Sequence, residues 1–323
     1  GSSLRPEGSK MLLSGDGTIA GSVTGGCVEG AVFEEARSVL ESGRPKLLSY
    51  GVSNEQAWDV GLSCGGSVEI FVEALDTSSW KAITPLLEKT LENRQAAILL
   101  TTLKGKIDGQ KLLITRDNET AGTLGSKDLD EKVISSLQGD WVTRQPVQLT
   151  IQHDAENLII FADVILPPPR LIIVGASHIA IPLVDLARTL DYYTIVLDAR
   201  SAFATRERFP HADELIVDWP GEALEKLNID ASTCVVCLSH DDKLDNPALL
   251  LAIRSQARYI GALGSRTTHA KRLEALRQEG AGESELSRIH APVGLKIGAR
   301  QPAEIALSVM AEIVATAHNI KTG

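Results

Sequence analysis

What this 323-residue sequence lacks narrows its reading first. No apolar run reaches the roughly 20 residues that a membrane-spanning helix requires, and the amino terminus carries no secretory leader pattern. Basic residues are outnumbered, 32 Lys and Arg against 42 Asp and Glu, and the formal net charge of −10 argues against a general nucleic-acid binder. Cysteine is scarce. Four of them (Cys27, Cys64, Cys234, Cys237) in a chain this long do not make a secreted disulfide framework, so the cytoplasm is the expected compartment. Internal repeats and low-complexity tracts are absent too. What is present, 43% hydrophobic and 23% charged residues, predicts a soluble globular protein, and the length favours two domains.

The clearest boundary is Pro167-Pro168-Pro169, because three successive prolines continue neither a helix nor an internal strand. It separates an expected mixed α/β domain over 1–166 from a second domain over 167–323. In the second, short segments rich in Val, Ile and Leu at 171–174, 194–198, 214–217, 233–238 and 259–262 alternate with stretches of helical length. That is the pattern of a Rossmann-like, doubly wound parallel sheet covered on both faces. The first half is less regular, with a helix predicted over 28–42, a strand over 67–73, a helix over 79–93 and strands over 96–102 and 111–115.

Polar candidates follow the strands of the second half. Gly175-Ala176-Ser177-His178-Ile179-Ala180 opens a helix after the first strand, the context of a dinucleotide fingerprint, although Ser177 stands where the middle glycine lets a pyrophosphate approach. A tight NAD fit is thereby disfavoured. Asp198 ends the second strand, 23 residues after Gly175, where a carboxylate commonly accepts from ribose hydroxyls; Arg200 beside it either meets a phosphate or neutralises Asp198.

Ser239-His240-Asp241-Asp242-Lys243-Leu244-Asp245 follows the fourth strand. His240 suits phosphate contact or proton transfer, and the three aspartates suit Mg²⁺; the alternative is a polar loop with Asp245 capping the next helix. Gly264-Ser265-Arg266 follows the fifth strand, either as an anion-binding turn or as a plain turn with Ser265 as helix cap. Farther on, a helix over 303–317 carries Glu304, Ser308 and Glu312 on one face of an otherwise apolar surface, which points to core or dimer packing.

Cys234 and Cys237 have redox spacing but lie in an apolar strand, where residues three apart face opposite ways, so both read as structural. Cys27 and Cys64 differ. Gly25-Gly26-Cys27 sits at a helix start, where the macrodipole lowers a thiol pKa, and Cys64-Gly65-Gly66 sits in a glycine turn. Each is either a reactive or ligand-binding thiol or a small plug in a tight turn.

In order as well as in type, these motifs resemble the XdhC/CoxI family. The stretch Gly21-Ser22-Val23-Thr24-Gly25-Gly26-Cys27-Val28-Glu29-Gly30 with Ser63-Cys64-Gly65-Gly66 is similar to its amino-terminal domain. The triple proline, the Gly175 turn, Ser239-His240-Asp241, Gly261-Ala262-Leu263-Gly264-Ser265-Arg266 and Ala291-Pro292-Val293-Gly294-Leu295 are similar to its Rossmann-type domain. The resemblance implies an accessory protein more than a catalyst. It would bind a molybdopterin-type molybdenum cofactor, in its nucleotide-free or dinucleotide form, and protect it. It would also support exchange of an oxo for a sulfido ligand with a cysteine desulfurase as sulfur donor, and deliver the product to an apo molybdenum hydroxylase of the xanthine dehydrogenase type.

On that reading the cofactor contacts are Gly25, Gly26, Gly175, Ser177, His178, Asp198, Arg200, His240, Asp241, Gly264, Ser265 and Arg266. The chemistry falls to Cys27, Cys64 and His240, with the soft thiolate of Cys27 as candidate molybdenum ligand. A homodimer is expected. Two departures accompany the resemblance: Ser177 replaces the family's usual glycine, and members carry a strand and helix ahead of the segment matching Gly1 to Pro6, so a native start farther upstream is expected. Competing readings are an NAD(P)-dependent oxidoreductase and a sulfurtransferase carrying persulfide on cysteine.

Overall fold

The computed structural model describes residues 5–26, 28–51, 67–104, 107–137, 145–154 and 156–320. It forms two compact units, Gly1–Pro167 and Pro168–Gly323. In the first, strands β1 (Met11–Leu13) and β2 (Ile19–Gly21) pair antiparallel ahead of helix α1 (Glu29–Ser42). A second antiparallel pair, β3 (Lys46–Gly51) and β4 (Ser67–Val72), sets Leu48, Val68 and Ile70 against Val28 and Val32 at the start of α1.

Helix α2 (Ser78–Glu92), whose Thr77 cap accepts from the Trp80 N–H, leads into an antiparallel sheet. Its strands are β5 (Ala97–Lys104), β6 (Lys111–Thr115), β7 (Thr120–Thr123), β8 (Val147–His153) and β9 (Glu156–Ile165), ordered β7-β6-β5-β9-β8. Helix α3 (Lys127–Ser136) places Leu129 and Val133 on the face carrying Ile98 and Leu100, while Ile83 of α2 covers the face carrying Ala97 and Leu99. Cover on both sides explains why β5 and β6 read as unbroken apolar runs. Within this sheet Lys111 is buried, with Nζ 2.6 Å from Glu73 Oε1, 3.0 Å from Thr101 Oγ1 and 4.6 Å above the Trp80 ring.

The second unit runs β10 (Arg170–Val174), α4 (Ala180–Thr189), β11 (Tyr193–Leu197), β12 (Glu214–Ile216), α5 (Pro220–Lys226), β13 (Thr233–Cys237), α6 (Asp242–Arg254), β14 (Tyr259–Ala262), α7 (Arg266–Gln278), α8 (Glu283–Leu286), β15 (Ile289–His290) and α9 (Pro302–Ala317). All six strands are parallel, in the order β12-β11-β10-β13-β14-β15. Counted within the unit this is 3-2-1-4-5-6, the Rossmann order, as the alternating pattern predicts. Helices α4 and α9 fill one face around Leu171, Ile173 and Val236, and α5, α6 and α7 fill the other around Ile172, Val174 and Val235. The chain works outward from β10 to β12 and then returns to start β13 beside β10. A crevice therefore opens where the carboxyl ends of β10 and β13 diverge, the place where ligands bind in open sheets of this kind.

Candidate functional site

The loops after β10, β11 and β13 are locked to one another at that switch point. Gly175 has φ +100°, its N–H donates to Leu197 O at 2.8 Å, and a Cβ there would stand 2.6 Å from Ser239 N, so only glycine lets the two loops touch backbone to backbone. Asp198, fully buried, accepts from Ala176 N (2.8 Å), Arg200 N and Nε (both 2.9 Å) and Arg200 Nη2 (2.8 Å). Burial alone would raise its pKa, but the donors from Arg200 and Ala176 outweigh it and hold the carboxyl below its ordinary range. Of the two readings of Arg200, neutralising Asp198 is realised directly. What faces outward from the end of β11 is then the guanidinium of Arg200, with 43% of its side chain exposed. Ser177 Oγ is buried without a hydrogen-bond partner, and His178 in the same turn is exposed.

After β13, His240 adopts the left-handed region at φ +60°, which exposes it at the crest of its turn. The sequence allowed Asp245 as the cap of the following helix. The cap is Asp241, whose carboxylate accepts from Lys243 N at 3.0 Å, because α6 begins at Asp242 and carries Asp245 onto its buried face. There Asp245 accepts from Ser239 Oγ at 2.5 Å and lies 3.3 Å from Arg272 Nη2, while Arg272 Nη1 donates to Leu263 O at 3.2 Å. Burial pushes the Asp245 carboxyl above its ordinary range against the opposing pull of Ser239 and Arg272.

The three aspartates thus diverge into cap, exposed residue and buried pair. Among the described residues no group of three or more His, Cys, Asp or Glu is placed to hold a metal. At α7, Ser265 caps the helix by accepting from Thr268 N at 3.1 Å, and Arg266 is exposed in the first turn. Asn246 Oδ1 on α6 and His269 Nδ1 on α7 are buried without partners, like Ser177 Oγ.

A further turn, after β15, is built on α9. Gly294 N donates to Glu312 Oε2 at 2.7 Å, Tyr259 Oη donates to the same oxygen at 2.5 Å, and His290 Nδ1 lies 3.1 Å from Oε1. Gly294 has φ +93° and lies so close to Ser308 Oγ that no Cβ fits. The polar face foreseen on this helix is therefore split: Ser308 and Glu312 are buried beneath the turn, whereas Glu304 is exposed and caps the helix by accepting from Arg300 N and Gln301 N.

In the first unit, Cys27 and Cys64 lie outside the described residues. The glycines ahead of Cys27 are described, and their backbone donors are already taken. The Glu29 carboxylate accepts from Ser22 Oγ (2.8 Å), Thr24 N (2.9 Å), Thr24 Oγ1 (2.7 Å), Gly25 N (2.9 Å), Gly26 N (2.9 Å) and Val28 N (3.2 Å). Burial opposes its ionisation, yet these donors prevail and hold the carboxyl well below its ordinary range. The loop is thus a nest of donors closed by the chain's own anion. Sequence reading named Glu29 and Glu312 but not their roles as acceptors that close a turn, and it missed Asp245 as half of an ion pair and Arg272 altogether. Only Glu29 left a local signal, an acidic residue in the first turn of a helix that follows a glycine loop.

Comparison with known proteins gives this geometry its context. Residues 171–313 match the family described as the XdhC Rossmann domain, and residues 1–51 match the XdhC and CoxI family. A probable xanthine dehydrogenase subunit of Bacillus subtilis (strain 168) is 30% identical over 318 residues, covering 98% of this chain and 90% of that protein. The molybdenum cofactor insertion chaperone PaoD of Escherichia coli (strain K12) is 28% identical over 313 residues, covering 97% and 79% respectively. A crystal structure of a xanthine dehydrogenase from Bacillus halodurans superposes with a TM-score of 0.80 at 28% identity, covering 99% of this chain and 89% of that one. With similarity running through both units at this level, the chain belongs to the XdhC/CoxI family.

Proposed function

We propose that the chain is a maturation factor for the molybdenum cofactor of a xanthine-dehydrogenase-type hydroxylase, binding the cofactor as cargo and transferring it to the apo-enzyme. The observation that carries this reading is three buried polar atoms without partners, in the loop after β10 and near the starts of α6 and α7: Ser177 Oγ, Asn246 Oδ1 and His269 Nδ1. Such atoms are rare in a native fold, and a ligand bearing phosphate and hydroxyl groups would satisfy them. The exposed guanidinium of Arg200 and the first turn of α7, with Arg266, supply the matching positive charge. The family and the similarity to a cofactor insertion chaperone point to the same cargo.

In this reading Cys27 and Cys64 handle sulfur and molybdenum during sulfuration, a cysteine desulfurase supplies the sulfur, and His240 stands at the crevice to move a proton. The working form is a cytoplasmic homodimer. The NAD(P)-dependent alternative is disfavoured by Asp198, both of whose oxygens are engaged by Ala176 and Arg200 and so are closed to a ribose diol. Mass spectrometry of small molecules released from protein purified from molybdenum-replete cells tests the proposal. A pterin-derived ligand with molybdenum is expected; a nicotinamide nucleotide, together with hydride transfer to a small substrate, would replace this reading with the oxidoreductase one.

A further inference from the structure

The segment after β11 contains a cluster that the cofactor reading does not by itself require. Phe203 is 41% exposed, although the residues around it are firmly set: Ala204 and Phe209 are buried, Phe203 N donates to Arg200 O at 3.0 Å, and Phe209 N donates to Thr205 O at 3.0 Å. Two guanidinium groups lie on the Phe203 ring, Arg200 with its ζ carbon 4.3 Å from the centroid and Arg208 at 5.4 Å. Neither is loosely held. Arg200 is gripped by Asp198 through Nε and Nη2, and Arg208 Nη1 donates to Phe203 O at 2.7 Å. A groove of about 250 Å³, lined by Ile181, Val184, Arg208 and Phe209 and also by the carboxylates of Asp185 and Glu207, opens on the far side of Arg208 and does not include Phe203 or Arg200.

We propose that Phe203, Arg200 and Arg208 form a docking site for a nucleotide, with the aromatic and guanidinium planes stacking on the base and the guanidinium N–H groups meeting its phosphate. At this position of a Rossmann sheet a carboxylate ordinarily reads the ribose diol, but here Asp198 is consumed in fixing Arg200, so the strand end presents a cation and selects an anionic group. Beside that cation, an exposed ring layered with guanidinium is the kind of platform on which bases stack in proteins that bind single-stranded nucleotides. Pre-setting both arginines lowers the ordering cost of binding. We take this nucleotide to be the one carried by the dinucleotide form of the cofactor, and in that identification the inference rests on the proposed function; the nucleotide site itself stands on the geometry.

The test is calorimetric titration of the full chain and its Phe203→Ala and Arg208→Gln variants with CMP, GMP and AMP, and with inorganic phosphate as control. At least one nucleotide is expected to bind, and to bind more tightly than phosphate. Phe203→Ala is expected to weaken it by about fivefold to a hundredfold, the range of one lost stacking contact. Unchanged nucleotide affinity in Phe203→Ala, or no nucleotide binding at all, overturns the inference. A parallel titration with molybdopterin cofactor lacking a nucleotide separates the two proposals. Tight binding of that form, insensitive to Phe203→Ala and with no preference for the dinucleotide form, leaves the maturation reading standing and removes this site; failure to bind either form removes the maturation reading while the nucleotide titrations still decide the site.

Discussion

Arg272 and Asp245 meet at 3.3 Å inside the second unit with side chains 1% and 0% exposed, joining α7 to α6, and through Ser239 and Leu263 joining the loops after β13 and β14. The desolvation cost of such a pair cancels much of its attraction, whereas removing one partner leaves a buried charge alone. Arg272→Met is expected to destabilise the second unit by about 3–5 kcal/mol in urea unfolding. Asp245→Leu combined with Arg272→Met should recover most of that loss. A double variant as unstable as the single one would show that the Leu263 contact, not the ion pair, matters.

The contact between Gly175 and Ser239 predicts the effect of a single methyl group. Gly175→Ala must move the Ser239 backbone from 2.6 Å and adopt φ +100°, at a cost of about 1–3 kcal/mol for the backbone strain alone. Thermal unfolding should show a lowered midpoint, and retention of small molecules by the purified protein should fall with it. A variant with native stability would mean that the two loops part easily.

For Glu29 the prediction concerns pH. Its carboxyl is held below the 4.5 of an unperturbed glutamate, so its contribution to stability is complete above that value and is lost as pH falls toward the folded-state pKa. Glu29→Gln, which keeps one acceptor oxygen but loses the charge, should cost the first unit about 1–3 kcal/mol at pH 7. The gap between the native protein and the variant should narrow as pH drops from about 5 to 3. A gap independent of pH would place the effect in packing rather than in charge.

If Cys27 and Cys64 handle molybdenum, Cys27→Ala and Cys64→Ala proteins loaded with cofactor should lose metal in proportion to each residue's share. Elemental analysis after gel filtration gives the measure, and undiminished molybdenum in both variants would remove the thiols from metal binding.

The second unit was legible in the sequence because its strands are covered on both faces: Leu171 to Val174, Thr233 to Cys237 and Tyr259 to Ala262 stand out as apolar runs between helical stretches. Strand β15, two residues long, carries no periodicity to read. In the first unit the expected helices lie within a residue or so of α1 and α2, but the order of its antiparallel sheet depends on pairings such as β5 with β9, about sixty residues apart, that no local pattern encodes. The same distance hides the supports of the site. Asp245 finds Arg272 twenty-seven residues away and Tyr259 finds Glu312 fifty-three away, so the sequence offered the loops and their polar residues but not the groups that fix them.

Cys234 and Cys237 sit on opposite faces of β13, one in the layer of α4 and α9 and the other in the layer of α5 and α6, and burial pushes the Cys237 thiol well above its ordinary range. The scaffold therefore shields both of its own thiols from sulfur exchange as long as it stays folded. An alkylating reagent would then act as a clock for the fold: label arriving on Cys234 or Cys237 times the opening of the parallel sheet.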